Sequence, residues 1–119
     1  MNTNSNDNKG IIRVSEETIA VLAAKTALET KGVAALSGTL PDKIAINFSK
    51  KDSSYKGVKV SKDDESYKID VYVVVDFDEN IPSVAWDIQK NIKHEIKSKF
   101  GVSIKSINVH VQGVKTPLR

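Results

Sequence analysis

The sequence predicts an α+β domain: two main helices on one face of a small, mainly antiparallel sheet, in the order strand-helix-strand-strand-helix-strand. Three observations carry that prediction. Two stretches place apolar residues at helical spacing behind capping residues. One long stretch alternates apolar and polar residues behind a polar turn, and the chain closes on a second alternating stretch. With 119 residues and 39% hydrophobic content, the chain is one domain, large enough to bury a core without staples.

Residues 1–9, rich in Asn and Ser, are expected to form a disordered tail, because they have no apolar groups to offset ordering entropy. The domain is expected over residues 10–114, with a short tail at 115–119. "GIIRV", residues 10–14, is a candidate first strand. The first helix follows in "SEETIAVLAAKTALETKG". Ser15 can cap its N-terminus, Glu16 and Glu17 sit where the helix dipole favours anions, and Gly32 ends it. Ile19, Leu22, Ala23, Ala27 and Thr30 form its buried stripe, and the alanines suit close approach to a neighbouring backbone.

Residues 37–57 read two ways. Ile44, Ile46 and Phe48 alternate like a strand, whereas Leu40, Ile44 and Phe48 stand four apart after Pro41. The second spacing favours a short helix followed by the loop "KKDSSYKG". "GVKVSKDDESYKIDVYVVVDF" is a hairpin turning at "KDDES". Tyr67, Ile69, Val71, Val73, Val75 and Phe77 share one face of its second strand. Lys68, Asp70, Tyr72, Val74 and Asp76 share the other, which is expected to be only partly covered. The length of the β-branched run places this strand at or near the centre of the sheet. The second helix is expected from Ile81 to Phe100. In the last strand, "GVSIKSINVHVQGV", the apolar phase switches between Ile104 and Ile107, which calls for a bulge near Lys105–Ser106.

The chain shows little sign of catalytic machinery. Without cysteine it has no disulfide, thiolate zinc site or cysteine nucleophile, which fits a cytoplasmic protein. Its polar N-terminus has no apolar signal core, and no run is long enough to cross a bilayer. A net charge of +3 is only mildly basic. Asp76, Asp78, Asn80 and Asp87 fall on the first, third, fifth and twelfth positions of a calcium loop. However, that loop needs a glycine at the sixth position and a bidentate Glu at the twelfth, and here Ile81 and Asp87 stand there. The structural reading is that Asn80 caps a helix with Pro82 in its first turn. His94 is polar-flanked on the helix, and nothing pairs His110 recognisably with a serine or a carboxylate. No Gly-rich phosphate loop is present. Neither an enzyme nor a metal or cofactor is expected.

One surface stands out. Val84, Ile88, Ile92, Ile96 and Phe100, with Ile81 and Ala85, form the second helix's core stripe. At about 100° per residue, Trp86, Lys90, Lys93 and Lys97 gather on another side, within roughly 60° of one another. This face is either a solvated one, with the indole covering the rim of the core, or a docking surface for a protein, an acidic lipid face or a nucleic acid.

"GIIRVSEETIAVLAAKTALETKGVAALSG", "KGVKV", "IDVYVVVDFDENIPSVAWDIQKNIKHEI" and "GVSIKSINVHVQGV", in that order, resemble the alkaline shock protein family, the Gls-type general stress proteins of Gram-positive bacteria. The resemblance runs from Gly10 to Val114. It is most specific in the strand leading through "NIPSVA" into the helix and in the closing "INVHVQGV". It departs at Asp78, where a glycine after the aromatic is expected. The resemblance implies a non-enzymatic cytoplasmic protein of cell-envelope homeostasis. Such a protein would be held at the inner face of the membrane by an anchoring partner, and would self-associate. It also implies a link, in some relatives, to control of fatty-acid synthesis through acetyl-CoA carboxylase. No catalytic residue carries over.

Two function classes follow. One is an interaction or scaffold module of the envelope. The other is a small nucleic-acid-binding module using the basic helix face, although the sequence has neither a GXXG loop between helices nor paired strand aromatics that stack bases.

Overall fold

The computed structural model describes residues 13–37, 52–64 and 66–116. Their elements run α1 (Glu16–Glu29), β1 (Val33–Leu36), β2 (Asp52–Tyr55), β3 (Val58–Asp63), β4 (Ser66–Asp76), α2 (Ile81–Phe100) and β5 (Ile104–Lys115). The fold is α+β, with both helices covering one sheet.

The sheet is organised by β4. Ile69, Val71, Val73 and Val75 are all at most 1% exposed, and burying each such side chain contributes about 1.5–3 kcal/mol. One edge of β4 pairs with β5 in parallel, and the other pairs antiparallel with β3 and then with β1. The change of partner falls at Tyr72, whose N–H donates to the Gly57 carbonyl and whose carbonyl accepts from the Ser37 N–H, both at 2.8 Å. This junction requires Gly57. Its φ is 88°, and a Cβ there would stand 2.6 Å from the Ser37 carbonyl oxygen. All pairs except β4–β5 are antiparallel, so the sheet is mainly antiparallel as expected, with β4 at its centre.

The helices follow their capping signals. The Ser15 side chain accepts from the Thr18 N–H at 3.1 Å, and Asn80 accepts from the Ser83 N–H at 2.9 Å, with Pro82 in the first turn. Gly101, with a φ of 71°, closes α2 in the left-handed conformation. The alanine face of α1 (Ala20, Ala23, Ala24 and Ala27) is buried, and Asn91 of α2 reaches across to donate to the Thr30 hydroxyl at 3.2 Å. From α2, Val84, Ile88, Ile92 and Ile96 enter the core.

Several expectations need correction. Arg13 and Val14 belong to no strand, and residues 10–12 of that expected strand lie outside the described residues. The short helix expected in 37–57 falls largely on residues 38–51, also outside the description. The loop expected after it is instead β2 and a two-residue turn. Tyr55 pairs with Val58, and Lys56 and Gly57 both take positive φ (44° and 88°), as a type I′ hairpin requires. β1 was not anticipated at all. Phe77 and Ile81, expected on core faces, are 59% and 37% exposed, because β4 has ended at Asp76 and α2 is only starting.

Candidate functional site

The side chains expected to gather on α2 do gather, and they form one wall of a groove. Trp86, Gln89, Lys90, Lys93, His94 and Lys97 face Ile104, Lys105, Ser106 and Ile107 of β5 across a cavity of about 620 Å³. The placement follows from α2's own division of faces. Its isoleucine stripe is buried, so the residues about 100° further round the helix overhang the edge of β5. Trp86 is 62% exposed, so the indole lies on the surface rather than in the core. The Gln89 side-chain amide donates to the Ile107 carbonyl at 2.9 Å and ties the two walls together. The Lys97 ammonium reaches the Ser103 hydroxyl at 3.4 Å. Apolar walls beneath a rim of lysines can hold an apolar anchor and attract anionic groups.

The β5 wall was not expected from the sequence. It depends on the bulge at Lys105, where Tyr67 pairs with Ile104 and Lys68 already pairs with Ser106. The bulge itself was expected at that place. It returns Ile107 to the core face while Ile104 also stays buried. A second register shift, at Gln112, was not foreseen.

The opposite face of the sheet holds a polar cluster that the sequence reading missed. The sequence shows no recognisable partner for His110, and the fold supplies one: its Nε2 lies 2.9 Å from Asp70 Oδ1. Asn108 donates to the same oxygen at 3.2 Å, and the Tyr72 and His110 rings stack with centroids 4.4 Å apart. Parallel pairing sets Asp70 beside Asn108 and Tyr72 beside His110, so the cluster is a product of register. Asp70 is 9% exposed and is satisfied by these donors, which accounts for a buried carboxylate on a sheet face. The Tyr72 hydroxyl is held above its ordinary pKa, first by burial and then by the charge of Asp70. Neither Asp70 nor His110 lines the groove. Among the described residues, no three His, Cys, Asp or Glu side chains gather closely enough to hold a metal ion, and no helix is long and apolar enough to cross a membrane.

The turn from β4 into α2, with its calcium-like spacing, is a capped helix start. The Glu79 N–H donates to the Asp76 carbonyl at 3.2 Å, and Asn80 is the N-cap.

Comparison with known proteins gives the family. The chain is 37% identical over 106 residues to the uncharacterized protein YqhY of Bacillus subtilis strain 168, covering 89% of this chain and 78% of that one. It is 30% identical over 118 residues to the uncharacterized protein Spy1614 of Streptococcus pyogenes serotype M6, covering 97% and 96%. A solved structure described as MamM-CTD H264A is a distant likeness, with 12% identity, a TM-score of 0.49, and coverage of 87% of this chain and all of that one. The family model that matches residues 4–116 is that of the alkaline shock protein family, described as having a cell envelope-related function. The chain therefore belongs to the alkaline shock protein family, which its strand-to-helix turn and closing strand resemble.

Proposed function

We propose that the chain is a non-enzymatic interaction module that serves the cell envelope by docking a protein partner in the groove between α2 and β5. The observation that carries this reading is Trp86. A lone tryptophan, 62% exposed beside Lys90, Lys93 and Lys97 over an apolar cavity, has the composition of an interface hot spot. The Asp70–His110 pair offers the alternative chemistry. It has no described nucleophile among its partners, and its carboxylate is already engaged by two donors. A partner at the membrane would account for envelope function in a domain whose described helices cannot span a bilayer.

The test is co-purification of the tagged protein from membrane and soluble fractions, comparing wild type with Trp86→Ala and with Lys90→Glu/Lys93→Glu. A specific partner should be lost from both variants while their melting temperatures stay within about 2 °C of wild type, since the core stripe is untouched. Recovery of acetyl-CoA carboxylase as that partner would extend the reading to fatty-acid synthesis. Equal recovery with all three proteins would refute the docking site. Tight binding of the pure protein to anionic vesicles or to RNA at physiological salt would refute the protein-partner reading.

A further inference from the structure

The groove borders the edge of β5 that no other described strand pairs, and the hydrogen-bonding groups of that edge can be assigned. Tyr72 directs both its backbone groups toward β3 and β1, so its neighbours Val71 and Val73 direct theirs toward β5. In a parallel ladder those groups bond the residues flanking their partners. Val71 pairs with Val109 and Val73 with Val111, so residues 108 and 110 face β4. The backbone groups of Ile107, Val109 and Val111 therefore point outward. The bond from Gln89 to the Ile107 carbonyl fits this assignment, since that carbonyl faces away from β4. Among the described strands, β5 pairs only with β4. Its bulges at Lys105 and Gln112 frame a regular stretch between them, which contains no proline.

Charge decides what could fill this place. Among the described residues, no carboxylate lies within ion-pair distance of Lys90 or Lys93. The helix rise spreads Lys90 to Lys97 over about 10 Å, and same-face residues of an extended strand recur about every 7 Å, so two alternate acidic residues fit within that length. Val111 is 37% exposed on the same strand, leaving apolar surface beside the edge. We propose that the groove takes an extended acidic segment of the partner. That segment would add as a further strand on β5 at Val109 and Val111, with its carboxylates against Lys90 and Lys93 and an apolar side chain beside Trp86. The inference rests on the reading of the groove as a partner site, and names the chemistry of that partner.

The probe is a synthetic decapeptide with threonine at every second position and valine, glutamate, glutamate, glutamate and valine in turn between them, so that carboxylates and an apolar side chain share one face of the strand. It is titrated into the full chain at physiological salt, with the same peptide carrying lysine in place of glutamate as control. Amide and indole NMR signals and hydrogen exchange are recorded. The acidic peptide should shift the Trp86 indole signal and slow exchange of the Val109 and Val111 amides roughly tenfold, because a paired edge amide is no longer open to solvent. Lys90→Glu/Lys93→Glu should abolish both effects, and the lysine peptide should produce neither. A Trp86 shift without protection on β5 would overturn strand addition while leaving the docking reading intact. No response, or an equal response to the lysine peptide, would overturn the acidic-strand inference, and the co-purification would still judge the docking site separately. The same signals moving only with anionic vesicles or single-stranded RNA would overturn both readings.

Discussion

Replacing Gly57 by alanine tests the junction at which β4 exchanges one neighbour for another. At a φ of 88° a Cβ-bearing residue costs about 1–2 kcal/mol relative to glycine. The new Cβ would also stand 2.6 Å from the Ser37 carbonyl oxygen and 3.2 Å from that of Tyr72, both backbone atoms with little room to yield. Forcing β1 and β3 apart adds about 1–3 kcal/mol of overpacking and strains the 2.8 Å bond from Ser37 to Tyr72. The sum, roughly 2–5 kcal/mol, corresponds to a loss of about 8–20 °C in melting temperature for a domain of this size. Gly101→Ala is the matched control. Its φ is also positive, at 71°, but no atom lies within 4 Å of the added Cβ, so only the conformational cost of about 1–2 kcal/mol remains. Thermal melts followed by far-ultraviolet circular dichroism, with urea midpoints alongside, measure both. If Gly57→Ala were no more destabilised than Gly101→Ala, β1 and β3 would not meet at Tyr72, and the order of the sheet on that edge would be wrong.

Val73→Asp should abolish cooperative unfolding, because Val73 is fully buried on the central strand and an aspartate there would have no partner; a soluble variant with a sharp melt would refute the face assignment. The raised pKa of the Tyr72 hydroxyl predicts a stability contribution fully present below about pH 10 and lost as pH rises through the folded value. Urea midpoints from pH 8 to 11.5 should therefore fall less steeply for Tyr72→Phe than for wild type, and parallel curves would remove Tyr72 as a source of alkaline destabilisation. A chelator should leave the melting temperature unchanged; a shift of several degrees would direct attention to the turn at Asp76–Asn80.

The elements legible in the sequence are those with redundant local signals. α2 is marked by a capping Asn80, a proline in its first turn and an isoleucine every fourth residue, and its bounds agree at both ends. The bulge at Lys105 was legible because a phase switch between two buried isoleucines has few other solutions. β1 and β2 were not legible. "VAAL" and "DSSY" are four residues each, poor in β-branched side chains, and are held by pairing rather than by propensity. The hairpin turn after β2 carries Lys-Gly rather than the Asn-Gly or Asp-Gly that announces a type I′ turn. The candidate surface divides the same way. Helical periodicity alone gathered Trp86, Lys90, Lys93 and Lys97, whereas the β5 wall and the Asp70–His110 pair depend on a parallel register between residues about 40 apart in the chain, which local periodicity cannot supply.

The way α2 apportions its faces bears on how such a domain could reach a membrane. Its large aliphatic residues are buried against the sheet, and Asn91 is bonded to Thr30 at the α1 boundary. Lipid insertion needs several large apolar residues on one free face of a helix. Among the described residues, the exposed large apolar side chains are Val21 and Leu28 on α1, Phe77 in a turn, Ile81 and Trp86 on α2, and Val111 and Val114 towards the end of β5, so neither helix carries more than two of them. Lysines near an anionic surface add about 1 kcal/mol each, and Lys90, Lys93 and Lys97 together give too little for stable attachment at physiological salt. The same residues are better suited to a peptide. A groove with one aromatic anchor, a cationic rim and a strand edge that no other described strand pairs supplies apolar contact, charge and backbone hydrogen bonds within a single recess. That combination favours a protein tether over direct lipid contact, because only an extended chain can use all three at once.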